Sequence, residues 1–182
     1  MISAYPWLPI VRADLKVRHI YQKELPELYE LEADPFLKKY VGGPIVKLRE
    51  DWLSRANSLC SSDITFAIEH IPSGKFAGRA SLGHFTRTQY PNRAHREVQV
   101  ILSRAFVGAG LGRDACILMC TLAFESFEAS SVFAVVHHLH PRSANLVLEL
   151  GFNEIEPDSM LRGQSQDRIF ELSKETFSKT IL

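Results

Sequence analysis

An excess charge of either sign, a long apolar stretch and a closed set of cysteines are all missing from this 182-residue chain. Its 21 basic and 21 acidic side chains cancel, so no global field draws it to nucleic acid or to a membrane surface. No apolar run reaches the roughly 20 residues that span a bilayer. The N-terminus has no basic region followed by an apolar one, so no secretory signal is evident. The three cysteines, Cys60, Cys116 and Cys120, do not form a disulfide framework. These absences predict a cytoplasmic protein without nucleic-acid or membrane partners. No repeat, low-complexity tract or charge block marks a linker. With 46% apolar and 23% charged residues, ordinary for a globular protein, residues 1–182 read as one domain large enough for its own core.

What is present is concentrated in Phe106-Val107-Gly108-Ala109-Gly110-Leu111-Gly112-Arg113. Three glycines follow an apolar run, Val98 to Leu102, and precede a segment with Leu111, Ala115, Leu118 and Leu122 on one helical face. Glycine suits positive φ or close approach to a ligand. A strand, a glycine turn and a helix start together aim free N–H groups and a helix dipole at one point, which is an anion site. The plain alternative is a strand-to-helix turn with no ligand. A nucleoside-triphosphate loop would need Gly-Lys-Ser/Thr, whereas Gly112 is followed by Arg113 and Asp114. A dinucleotide fingerprint needs Gly-x-Gly-x-x-Gly early in a βαβ unit. Gly108-x-Gly110-x-Gly112 has other spacing and lies past mid-chain.

Around the loop the pattern predicts a mixed sheet flanked by helices. A helix starts near Pro26 and ends or kinks at Asp34-Pro35. Another follows Pro44, with Leu48, Trp52, Ala56 and Leu59 in helical register. Ile64–His70 and Lys75–Leu82 read as strands joined by Pro72-Ser73-Gly74, and Arg96–Leu102 as the strand before the loop. Val132–His138 is a buried strand. Pro141–Leu150 is a short helix stopped by Gly151.

Val107-Gly108-Ala109-Gly110-Leu111-Gly112 resembles the pyrophosphate loop, Arg/Gln-x-x-Gly-x-Gly/Ala, of the GNAT N-acetyltransferases. Val107 stands in place of the usual Arg or Gln. His140-Pro141-Arg142-Ser143, and then Gly151-Phe152, resemble that family's Asn-x-x-Ser segment and Leu-Gly-Phe ending. Leu15-Lys16-Val17-Arg18, Asp34 to Pro44, and Asp167 to Leu172 resemble the branch that acetylates ribosomal-protein N-termini. The likeness runs from about Leu15 to Leu172 in order. It implies a mixed α/β (α+β) fold of the acyl-CoA N-acyltransferase type. Its central twisted sheet would be largely antiparallel, with about six to seven strands, in a monomer or homodimer. Acetyl-CoA would be the co-substrate, without a metal, and a protein N-terminus or small amine the acceptor.

The resemblance also implies roles. Val107, Gly108, Ala109, Gly110, Leu111, Gly112 and Arg113 would hold the CoA pyrophosphate, largely through backbone N–H groups. The backbone of Val100, Ile101 and Leu102 would carry pantetheine and stabilise the oxyanion. Amine acceptors are mostly protonated near neutral pH, so direct transfer benefits from a general base. Glu97 matches the family's base; a solvated or Arg-paired strand-end carboxylate is the alternative. Gln99 stands where relatives often carry glycine. Ser143 would assist the departing thiolate, or only bond within the helix start, and Val147 takes the place of a tyrosine used by many relatives. His140 replaces the pantetheine-placing asparagine and can donate, accept or titrate. Val107, His140 and Val147 together raise the alternative of an acyl-CoA-binding sensor with little catalysis. The cluster His137-His138-Leu139-His140 invites a metal, but strand alternation would put His137 and His138 on opposite faces, and no zinc-spaced pair lies elsewhere. Cys116 and Cys120, one helical turn apart, read as core fillers. Phe36, Tyr40 and Trp52 of the N-terminal helices are expected on the acceptor side.

Overall fold

A computed structural model describes residues 7–45, 47–85, 94–156 and 167–181. Eight strands are hydrogen-bonded in one sheet. In chain order they are β1 (Ile10–Arg12), β2 (Leu15–Arg18), β3 (Thr65–His70), β4 (Lys75–His84), β5 (His95–Leu102), β6 (Ser131–His137), β7 (Asn153–Ile155) and β8 (Asp167–Ser173). Their spatial order is β1-β2-β3-β4-β5-β6-β8-β7. The pairs β1/β2, β2/β3, β3/β4, β6/β8 and β7/β8 are antiparallel, and β5/β6 is parallel. The helices are α1 (Leu25–Ala33), α2 (Pro35–Lys38), α3 (Arg49–Ala56), α4 (Leu111–Glu125), α5 (Pro141–Glu149) and α6 (Lys174–Ile181). The result is a mixed α/β fold with a twisted, mostly antiparallel sheet flanked by helices. Among the described residues no helix is long and apolar enough to cross a membrane.

The chain groups into two compact units, Met1–Ser81 with Val100–Leu118, and Leu82–Gln99 with Met119–Leu182. In the first, α1 buries Leu25, Leu28 and Leu31. Pro35 bars Asp34 from helical geometry, and Asp34 takes an extended conformation with ψ 114°. Its carboxylate then caps α2 by accepting from the N–H groups of Phe36 (2.8 Å) and Leu37 (3.4 Å). Ile20, Leu25, Leu28, Ala56 and Ala67 form the core here, with Trp52, Leu53, Leu59 and Phe76 against it. Gly78 lets two strands approach. A Cβ at that position would lie 2.2 Å from the carbonyl oxygen of Ile101.

In the second unit Phe85 stacks on Phe133 with ring centroids 4.0 Å apart, and Ile169 completes the cluster. α5 stops at Gly151, whose φ is +88°. The N–H of Gly151 donates to Leu148 O (3.0 Å) and that of Phe152 to Val147 O (3.1 Å), a Schellman ending.

The departures from the sequence expectations are local. Eight strands replace six to seven because β1 and β7, at three residues each, are too short to show alternation. The helix expected after Pro44 begins at Arg49, and Leu48 is 75% exposed at its N-cap. Leu59 lies in the 3₁₀ turn Asn57–Ser61. β6 ends at His137, so His138 is a turn residue rather than the opposite face of a strand. The two imidazoles stack, with centroids 4.5 Å apart. α6 was not anticipated; its Phe177 is buried and meets Phe124 at 5.2 Å.

Candidate functional site

The glycine loop belongs to the first unit. At the end of β5 the N–H of Ser103 donates to Ala77 O (2.8 Å), and one 3₁₀ turn, Arg104–Phe106, leads into the loop. Gly108 and Gly110 adopt φ of +89° and +81°, the left-handed geometry that β-carbons disfavour. The N–H of Val107 turns inward to Ser103 O (3.2 Å), that of Ala109 to Phe106 O (3.4 Å) and that of Arg113 to Gly110 O (3.4 Å). Among the described residues the N–H groups of Gly108, Gly110, Leu111 and Gly112 have no backbone acceptor. Four donors without a backbone acceptor at the head of a 15-residue helix suit an anionic group such as the pyrophosphate of CoA. Val107, Gly108, Ala109, Gly110 and Arg113 are exposed, and Leu111 and Gly112 half-buried. The Val107 side chain, 41% exposed, adds no polar group. On β5, Ile101 is buried while Val100 and Leu102 are half-buried.

Behind the loop, α4 buries every residue from Ala115 to Cys120. Burial pushes the Cys116 thiol up to about 12, which removes it as a nucleophile near neutral pH. Asp114, in the helix's first turn, pairs with Arg12 of β1 (Nε to Oδ1, 2.8 Å).

Arg104 ties the loop's approach to α2. Its Nη2 donates to Asp34 Oδ1 at 2.7 Å and its Nε to Oδ2, while the guanidinium lies 4.8 Å from the centre of the Phe36 ring. The Arg104 pairing, helped by the two cap N–H groups, holds the Asp34 carboxyl down at about 2. Phe36 stays 61% exposed, whereas Trp52 packs into the core and edges onto Tyr29 at 5.5 Å. Buried ion pairs back these helices. Glu32 meets Lys38 Nζ (2.8 Å) and Arg79 Nε. Arg18 forks onto Glu24 (2.8 and 2.6 Å) and reaches Glu69 (2.6 Å). Sequence reasoning singled out none of these pairs. Only the cap had a local signal, Asp34-Pro35.

Glu97, His140 and Ser143 belong to the second unit. Glu97 is the third residue of β5, half-buried, and faces Phe133 in the parallel register His95–Glu97. Val100–Leu102 lie beyond that ladder on the same unbroken strand. His140 caps α5. Its carbonyl accepts from the N–H of Ser143 (3.1 Å) and of Ala144 (3.2 Å), and its own N–H donates to His137 O (2.8 Å). His140 and Ser143 thus share one turn. Burial first, then the charge of Arg142 and the proximity of His137, lower the His140 pKa. Its imidazole is therefore neutral near pH 7, able to donate through one nitrogen and accept through the other. Ser143 is half-buried and Val147 is buried, 4% exposed. Among the described residues no group of three or more His, Cys, Asp or Glu is arranged to hold a metal.

The profile described as "Acetyltransferase (GNAT) domain" matches residues 14–153. No curated protein sequence matches significantly. The fold is similar to an acetyltransferase of the GNAT family from Bacillus anthracis, at 14% identity and a TM-score of 0.75, covering 92% of this chain and 99% of that one. It is similar also to a spermidine N-acetyltransferase from Vibrio cholerae in complex with CoA and spermine, at 13% identity, a TM-score of 0.73 and coverage of 92% and 99%. An acetyltransferase from Agrobacterium tumefaciens aligns at 20% identity with a TM-score of 0.70, over 93% and 97% of the two chains. With the profile spanning most of the chain, from the turn before β2 through the glycine loop to the start of β7, this protein belongs to the GNAT family of acetyl-CoA-dependent N-acetyltransferases.

Proposed function

We propose that the chain moves an acetyl group from acetyl-CoA to a primary amine by direct transfer in a ternary complex. The observation that carries this reading is the loop. Gly108 and Gly110 in left-handed geometry leave the N–H groups of Gly108, Gly110, Leu111 and Gly112 without a backbone acceptor at the positive end of α4. Those donors hold the pyrophosphate, and the Val107 side chain adds no polar contact to them. The backbone of Val100–Leu102 carries pantetheine and donates to the thioester oxygen as charge develops there. Glu97 takes the proton from the acceptor ammonium at its carboxylate, directly or through a water. The Ser143 hydroxyl hydrogen-bonds to the departing sulfur as the C–S bond breaks, and the thiolate takes its proton from the nitrogen that has attacked, since Val147 offers none. Neutral His140 orients the pantetheine arm by hydrogen bonding.

The resemblance of Leu15–Arg18, Asp34–Pro44 and Asp167–Leu172 to the ribosomal-protein branch favours a protein N-terminal amine as acceptor. A small polyamine is the second reading, favoured by the likeness to the spermidine enzyme that holds spermine. Fold alone does not separate the two.

The test is calorimetric titration of acetyl-CoA and CoA, followed by N-terminal peptides and small amines with a free-thiol readout. Wild-type protein binds CoA and releases thiol only with its acceptor. Glu97→Gln keeps CoA affinity and loses turnover by about a hundredfold; unchanged turnover removes Glu97 from the mechanism. Binding without release from any amine favours the sensor alternative, and absence of binding overturns the loop assignment.

A further inference from the structure

The loop offers backbone donors, but Val107 at its head brings no charge, and Asp114 places a carboxylate in the first turn of α4. The helix dipole favours that carboxylate. A pyrophosphate docking at the same helix end is repelled by it, since Asp114 sits about 4.5 Å along the axis from Leu111. Arg12 answers both problems. It comes from the edge strand β1 and sets Nε 2.8 Å from Asp114 Oδ1. The side chain keeps 38% of its surface open. Among the described residues Nη1 and Nη2 make no other hydrogen bond. One edge of the planar guanidinium is thus fixed by the carboxylate, and the two terminal nitrogens stay available. A held fork of this kind suits the non-bridging oxygens of a phosphate, with less side-chain entropy to lose than an unrestrained arginine.

We propose that Arg12 is a cofactor-binding residue that presents Nη1 and Nη2 to the pyrophosphate of acetyl-CoA at the head of α4, in place of the charge that Val107 lacks. This rests on the acetyl-CoA reading above. Asp114 is then a positioning residue for Arg12.

Calorimetry with CoA and 3′-dephospho-CoA tests this, on wild type, Arg12→Gln, Asp114→Asn and the double variant. Wild-type binding of CoA checks the underlying reading separately; if it fails, both fall. Arg12→Gln weakens both ligands about tenfold, since both carry the pyrophosphate. The double variant remains weaker than Asp114→Asn by a similar factor, because the phosphate contact is gone whether or not the carboxylate is. Arg12→Gln with unaltered affinity overturns the proposal while leaving the family reading intact. A double variant that regains wild-type affinity also overturns it, since Arg12 would then only neutralise Asp114. Loss confined to CoA would move the contact to the 3′-phosphate and refute the pyrophosphate assignment.

Discussion

Asp34 performs two jobs with one carboxylate, and substitution can separate them. Oδ1 accepts from the N–H of Phe36 and of Leu37, which caps α2, and also from Arg104 Nη2 at 2.7 Å; Oδ2 accepts from Arg104 Nε. Asp34→Ala removes the cap and the ion pair together. A lost cap costs about 1 kcal/mol. The ion pair adds less than the cap does, because the Arg104 side chain is 61% exposed and well screened. Asp34→Ala therefore costs somewhat more than the cap alone. Asp34→Asn keeps a capping oxygen and loses only the charge, so a smaller loss than that of Asp34→Ala is expected. Arg104→Gln should match the asparagine variant, since it removes the same pair from the other side. Urea unfolding of the three variants reads these differences. The functional consequence is read by acetyl-CoA titration. The carbonyl of Arg104 accepts from the N–H of Val107 (3.4 Å), so releasing its side chain loosens the turn that delivers the loop, and affinity falls severalfold. If Asp34→Asn were as costly as Asp34→Ala, the ion pair rather than the cap would carry the stability. If Arg104→Gln left both stability and affinity unchanged, the tie between α2 and the loop would have no energetic content.

Other expectations follow from the buried charges and the strand contact. Burial alone would raise the Glu32 carboxyl, but Arg79 and Lys38 outweigh it and hold the group below 4.5. The folded state then binds fewer protons than the unfolded one, so this contribution is present above the unfolded value and is lost as pH falls below about 4.5. Glu32→Gln should cost about 3 kcal/mol at pH 7 by leaving two buried cations against a neutral amide, and its stability should decline less steeply with acid in urea titrations from pH 6 to 3. Equal slopes for wild type and variant would show that Glu32 does not carry the linkage. Gly78→Ala puts a Cβ against the carbonyl of Ile101, where 2.2 Å is available. A loss of about 1 to 3 kcal/mol is expected, and a Tm equal to wild type would mean that β4 and β5 are not held this closely.

Local stereochemistry was legible in the sequence, and long-range charge was not. Pro26, Pro35 and Pro72 restrict the backbone at their own positions, and Gly74 and Gly151 admit positive φ at theirs, so helix starts, caps and turns fall where these residues predict. The glycine loop was readable for the same reason, because positive φ at Gly108 and Gly110 is a property of three or four residues. Strands β1 and β7 are held by pairing with β2 and β8, and three residues carry no period of their own. The ion pairs lie further still from any local signal. Arg79 and Glu32 are 47 positions apart, Arg104 and Asp34 are 70 apart, and Arg12 and Asp114 are 102 apart. In a chain of zero net charge each of these side chains looks like a solvated surface group until the topology brings its partner. This difference matters most at Val107. Compared position by position with the family's loop, the valine is a missing contact. With β1 in place, a guanidinium stands at the first turn of the helix that this loop begins. A motif can therefore lose its charge in sequence and regain it in space, and departures from a family pattern are weaker evidence for lost catalysis than they are when counted along the chain.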